Sequence, residues 1–279
     1  MFLLHFILNV VGLLLWVNWR GMGFKEYVPY RSTLVHTLKS AEPRRPGRWR
    51  YLAGLALLLI VRAWLYQTIG SALHWVPVID LQVLTLPFRS DLPWRMLLFS
   101  WLSFGLAWTV FHLALLLLSV ANRAVPDTQP VQHLVRLHLG PVARWPIALQ
   151  LLLPFLCCAL AWLPLQPLLT RAGLLPAGAA MSLVAEQGVV IGLAVFLALP
   201  PIIIALLLLY LLNSYVYLGR SPFLDFASLA GRNLQKPVSS LPLRLGRVDF
   251  APVVAAGLVW FSAVFFERGL VALFNRLPL

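Results

Sequence analysis

Two ionisable side chains stand inside long apolar stretches and are the first candidates for chemistry. Arg62 interrupts an apolar run that begins near residue 51, and Glu186 lies near the start of another over 181–212. A charge at bilayer depth is expensive, so such residues face protein or a water-filled cavity and mark a functional-site hypothesis by default. Arg62 therefore calls for a carboxylate or carbonyl partner, and Glu186 is one candidate. A structural ion pair and a step on an ion or proton path both fit. No series of carboxylates runs through the apolar stretches, which weakens a pump or antiporter. Glu267-Arg268 reads as a self-paired couple at a span end.

The remaining reactive residue types form no recognisable set. His133 and His138 are five apart and would point about 140° away from each other on a helix. His5 and His112 sit alone in apolar runs. Each reads as a buried hydrogen-bonding residue or, less simply, as an axial haem ligand. The only cysteines, Cys157 and Cys158, are adjacent and within an apolar run, where they serve as small packing residues. No zinc-type cysteine spacing, phosphate-binding glycine loop or nucleophile elbow is present. No catalytic residue, metal or cofactor is expected.

The elements that must carry these residues follow from composition. Of 279 residues, 61% are hydrophobic and 11% charged, with mean hydropathy +0.85. Soluble domains run at roughly 45–50% apolar and about 25% charged. A soluble globule is excluded, and so is a disordered chain. A helical span needs about 20 mostly apolar residues. Six stretches qualify: 2–18, 51–69, 96–121, 146–169, 181–212 and 250–274. The first has no cleavage-site pattern and reads as a retained span. The fifth is long and holds Pro200-Pro201, which predicts one kinked, tilted helix. The segment 74–88 is apolar but broken by Asp80 and prolines, and reads as interfacial or as a surface strand. Trp16, Trp19, Trp75, Trp94, Trp145 and Trp162 fall near predicted span ends, where an amphipathic ring is well placed.

The formal charge is +13, and in a membrane chain its distribution orients the spans rather than suggesting nucleic acid. Basic residues crowd loops 19–50, 122–145 and 213–248, whereas loops 69–95 and 170–180 carry only Arg89, Arg95 and Arg171. The first three loops are thereby predicted to be cytoplasmic, with both termini on the outer side. Anionic headgroups are their expected neighbours. The densest patch, Arg44-Arg45-Pro46-Gly47-Arg48-Trp49-Arg50, reads as a topology anchor or as a lipid site.

The chain also repeats itself. Ala114 to Leu118 recurs as Ala205 to Leu209, an offset of 91. At that offset Asn122 matches Asn213, Gly140 matches Gly231, and Pro146 matches Pro237; Pro130 matches Pro222 with one insertion, and Pro154 is aligned with Pro252. Each copy is span, short amphipathic helix, span. The first short helix puts Val131, Leu134, Val135 and His138 on one face, and the second puts Phe223, Phe226, Ala227 and Ala230 there. A proline opens each. Such helices lie in the membrane surface or pack their apolar face on the protein's own spans. Both copies start on the same side, so they are parallel rather than inverted repeats, which counts mildly against a carrier. Three regions result: 1–95, a first hairpin with a basic loop and an outer interfacial segment; 96–175, repeat one; and 176–279, repeat two.

Pro222-Phe223 and the stretch Leu241 to Val254, with Gly246, Asp249 and Pro252 in a Gly-x-x-Asp-x-x-Pro pattern, resemble the YggT (YlmG) family of membrane proteins. The resemblance covers 200–279 most fully. The first copy keeps Pro130, Gly140, Pro146 and Pro154 but lacks the Gly-x-x-Asp element, and Glu42-Pro43-Arg44-Arg45 resembles a remnant of a third copy. The family implies duplicated two-span hairpins in a bacterial inner or plastid membrane, with no known catalytic activity. Its members are linked to envelope and division organisation, ion and osmotic tolerance, and cofactor assembly on membrane cytochromes. Local chemistry agrees at one point: Gly246 permits a turn, Asp249 can cap the next helix, and Pro252 suits its first turn. The expectation is an all-α, polytopic, non-catalytic protein that acts as an envelope scaffold or assembly factor through a membrane-protein partner or self-association. A small channel or transporter using Arg62 and Glu186 is the rival.

Overall fold

The computed structural model describes residues 2–21, 47–124, 130–176, 180–216, 221–241, 243–245 and 248–277. Among these the chain is all-α and polytopic. Six helices, or helix pairs read through a short interruption, are long and apolar enough to cross a membrane. They correspond to the six predicted stretches. The helices are α1 Phe2–Gly21, α2 Trp49–Leu73, α3 Pro93–Ala121, α4 Pro130–Leu139, α5 Ile147–Arg171, α6 Met181–Ala194, α7 Leu199–Tyr215, α8 Pro222–Leu234 and α9 Ala251–Phe274.

The repeated order is visible: α3–α4–α5 and α7–α8–α9 are each span, short helix, span. A 3₁₀ turn over Val195–Ala198 joins α6 to α7, with Pro200-Pro201 in the first turn of α7. Proline lacks a backbone donor and clashes with the preceding turn, so the ladder tightens just before it. The segment 74–88 holds an antiparallel hairpin, β1 Val78–Asp80 with β2 Thr85–Pro87, in which Ile79 pairs with Leu86. Ile79 and Leu86 are buried while their strand neighbours are exposed, the alternation of a half-buried ribbon. A second, two-residue hairpin, β3 Arg244–Leu245 with β4 Val248–Asp249, precedes α9.

Two compact units divide the chain. The first comprises Met1–Val76 and Arg89–Ala107 and contains α1, α2 and the start of α3. In α1, Gly12 alone among the described side-chain positions is buried, and an added Cβ there would meet the Phe104 ring at 2.9 Å. The second unit comprises Pro77–Phe88 and Trp108–Leu279. There α5 and α6 approach closely through Gly188 and Gly192, whose missing Cβ atoms would lie 2.9 Å from the Ala159 carbonyl and 2.8 Å from that of Phe155. This is small-xxx-small packing, which lets helix backbones meet where lipid offers no hydrophobic drive. The same device seats α8 on α7, where a Cβ added at Gly231 would lie 2.5 Å from the Leu206 carbonyl.

Candidate functional site: a polar cluster inside the first unit

Arg62 sits at the middle of α2 and is 1% exposed. Its partners are neutral. Nη1 donates to Asn9 Oδ1 at 2.6 Å and Nη2 donates to Ser103 Oγ at 2.6 Å. Nη2 also reaches His5 Nδ1 at 3.2 Å. The guanidinium lies 5.3 Å from the Tyr66 ring centre, one turn along α2, where the π face attracts a cation. Asn9 and His5 are one turn apart on α1, and Ser103 comes from α3, so three helices meet at one charge.

His5 joins the cluster through both ring nitrogens, Nδ1 toward Arg62 Nη2 and Nε2 at 2.9 Å from Ser103 Oγ, with donor and acceptor roles set by the ring tautomer. The Tyr66 hydroxyl lies 3.1 Å from Nδ1, and Tyr66, Trp75 and Phe99 pack edge-on against one another. Asn9 Nδ2 donates to Ser103 Oγ at 3.3 Å. Arg62 Nε, by contrast, is buried with no partner. The result is a cation compensated by dipoles and a π face, with no counter-charge among the described residues.

Of the two partner types expected for Arg62, the carbonyl is present as Asn9 Oδ1; among the described residues no carboxylate pairs with it, and Glu186 stands exposed on α6. Arg89 and Asp91 form an ion pair at 3.3 Å on the surface. Glu267 and Arg268 are both exposed on α9. His5 belongs to the cluster, whereas His112 bonds the Trp108 carbonyl of its own helix at 2.9 Å and lies against the Trp108 ring. Asn9, Tyr66 and Ser103 were not singled out from sequence, although a polar Asn or Ser in an apolar span is itself a signal.

The repeat residues fall in the second unit. Asn122, fully buried at the end of α3, donates to the Phe226 carbonyl of α8 at 3.3 Å, and Asn233 of α8 donates back to Asn122 Oδ1 at 3.1 Å. Asn233 also bonds the Ala121 carbonyl at 3.0 Å. Asn213 donates to Ser228 Oγ of α8 at 3.0 Å. Both matched asparagines thus end a span and grip the same short helix. The apolar faces of α4 and α8 then pack inward: Val135, Leu139 and Phe226 share a buried cluster with Leu116. Phe223 and Leu134, assigned to those faces, are 59% and 53% exposed.

Several matched positions differ in role. Pro222 opens α8 and Pro252 opens α9. Pro146 precedes α5 directly, while its match Pro237 lies in the turns that follow α8. Pro154, aligned with Pro252, is inside α5 rather than at its start. Gly140 ends α4 at φ 61°, whereas Gly231 is helical and makes close contact. Asp249 Oδ1 accepts the Ala251 N–H at 3.0 Å at the entry to α9, and its own N–H donates to the Tyr215 hydroxyl at 2.7 Å. Gly246 lies outside the described residues. Trp162, expected at a span end, is buried in α5 and donates to Gln187 Oε1 at 3.4 Å. Beside it Gln166, Gln187 and Phe274 line a cavity of about 10 Å³, room for one water.

Comparison with family models, curated proteins and solved structures finds no match to this chain.

Proposed function

We propose that this multi-pass membrane protein is a non-catalytic, YggT-like envelope scaffold or membrane-complex assembly factor of a bacterial inner membrane, with both termini on the outer side. The observation that carries the reading is the joined pair α4 and α8. Part of each apolar face is buried in internal packing and Asn122 ties the pair to a span end, which leaves a braced platform presenting the exposed remainder, Leu134 and Phe223. A braced surface at a span end suits contact with another membrane protein or a second copy. The enclosed state of Arg62 among neutral partners supports a structural use of that charge over a place on a transport path.

The test is crosslinking in native membranes followed by mass spectrometry of gently solubilised protein. A stoichiometric partner that is lost in Leu134→Asp/Phe223→Asp, while the protein still inserts, supports the scaffold. Phe226 is unsuitable for this purpose, because it is 2% exposed and a polar replacement would disrupt packing. A protein with no partner, whose liposome flux falls in Arg62→Gln, would replace the scaffold with a small channel or transporter.

A further inference from the structure

At the end of the first hairpin where α1 stops and α2 starts, arginines and tryptophans gather. Trp16 and Trp19 pack with ring centres 4.8 Å apart in the last turns of α1. The Arg48 guanidinium lies over Trp19, 4.6 Å from its centre, which draws it to the end of α1 that also carries Arg20. Arg50 follows in the first turn of α2 and is exposed. Arg20 Nε is buried without a hydrogen-bond partner.

Among the described residues no carboxylate is paired with this cluster. Arg20 benefits from the negative end of α1, but Arg48 and Arg50 stand at the positive end of α2, where a carboxylate would normally sit. The first turn of α2 contains no acidic residue. Guanidinium forks match phosphate oxygens, and tryptophan rings prefer the headgroup level. The helix surfaces leading away from the cluster are apolar and exposed, with Leu14 on α1 and Leu57 and Ile60 on α2. Phosphate chemistry beside an acyl-compatible surface has one source that supplies both.

We propose that the Arg20–Arg48–Arg50 cluster, with Trp16 and Trp19, is a binding site for the headgroup phosphate of an anionic phospholipid. It stands independently of the scaffold reading, because it uses no residue of α4 or α8. A site of this kind holds a lipid that co-purifies, whereas a mere topology anchor attracts headgroups without selecting one molecule.

The experiment is native mass spectrometry of the full chain in mild detergent, titrated with phosphatidylglycerol or with phosphatidylcholine of the same acyl chains. A bound phosphatidylglycerol at sub-saturating lipid is expected, with its preference over phosphatidylcholine falling about five-fold for each of Arg20→Gln and Arg48→Gln. Arg89→Gln, at a surface ion pair with Asp91, should leave the preference unchanged. An unchanged preference in the double variant, or an equal loss in Arg89→Gln, overturns the site. Displacement of the lipid by millimolar glycerol phosphate would overturn the lipid assignment in favour of a free phosphate ligand. Photoactivatable phosphatidylglycerol on the unaltered protein gives a measurement that needs no variant: crosslinks must include α1 or α2, and crosslinks confined to other helices refute the proposal.

Discussion

Replacing the acceptor that faces Arg62 should harm the protein more than removing Arg62 itself. In Asn9→Leu the guanidinium stays buried but loses its 2.6 Å acceptor at Nη1, while Nε is already unpaired. Breaking a buried charged contact by deleting one partner costs about 3–5 kcal/mol in proteins. Ser103 and His5 still hold Nη2, so the lower end, about 3 kcal/mol, applies. In Arg62→Met the charge disappears, which recovers about 2.5–3.5 kcal/mol of mid-membrane penalty. Three interhelical hydrogen bonds are lost, each worth about 0.6 and at most about 1.7 kcal/mol in a membrane protein. The His5–Ser103 and Asn9–Ser103 bonds survive the change. The two sides nearly cancel, leaving Arg62→Met within about 1 kcal/mol of the parent. Adding Arg62→Met to Asn9→Leu should then rescue most of the loss, a coupling of about 2–3 kcal/mol. Equilibrium unfolding in bicelles measures this through tryptophan emission, since Trp75 packs edge-on against Tyr66 and Phe99 beside the cluster. If Arg62→Met proves as damaging as Asn9→Leu, with no rescue in the double variant, the account of the cluster as a buried cation held by neutral dipoles is wrong.

Two further outcomes follow from close approach and from capping. Gly192→Leu should separate α5 from α6 and destabilise by about 1–3 kcal/mol, because the Phe155 carbonyl, a backbone atom, occupies the space at 2.8 Å; Gly257→Ala, with nothing within 4 Å, should unfold in the same bicelle titration like the parent or slightly later. Asp249→Ala should cost about 1 kcal/mol by freeing the Ala251 N–H at the start of α9, read as faster amide exchange in that first turn, whereas Asp249→Asn should retain most of the bond.

Length and apolarity alone located the spans, since a bilayer sets the helix length whatever the tertiary contacts. Pro200-Pro201 likewise announced the irregular turn over Val195–Ala198. The repeat drew attention to Asn122 and Asn213, although not to their common grip on α8. Which groups surround Arg62 is not legible in the sequence, for a physical reason. Its acceptors are neutral and lie 53 and 41 residues away, and their meeting depends on helix rotation. Spans that are apolar all round carry no strong amphipathic period, so the sequence holds little record of which face turns inward. Matching prolines by order alone also failed, because Pro154 bends no entry and Pro252 makes one; chemistry at a helix start depends on position within the turn. Gly188 and Gly192 were not singled out in the sequence, because their four-residue spacing does not record that α5 is the helix packed against them.

The two units meet the same difficulty with different means. Without a hydrophobic drive in lipid, helices associate through backbone proximity or through hydrogen bonds between side chains. The second unit relies on glycines at Gly188, Gly192 and Gly231, each placing a backbone carbonyl of the neighbouring helix within 2.9 Å of the absent Cβ. The first has Gly12 against an aromatic ring, and adds a guanidinium that binds α1, α2 and α3 at a single point. Because α1 buries so little else, its attachment is sensitive to the hydrogen-bonding state of that point. A polar group in mid-membrane is therefore compatible with adhesion as well as with transport. Here each inward-facing partner of Arg62 is another protein group already engaged with Ser103 or Tyr66, which is the arrangement of a joint.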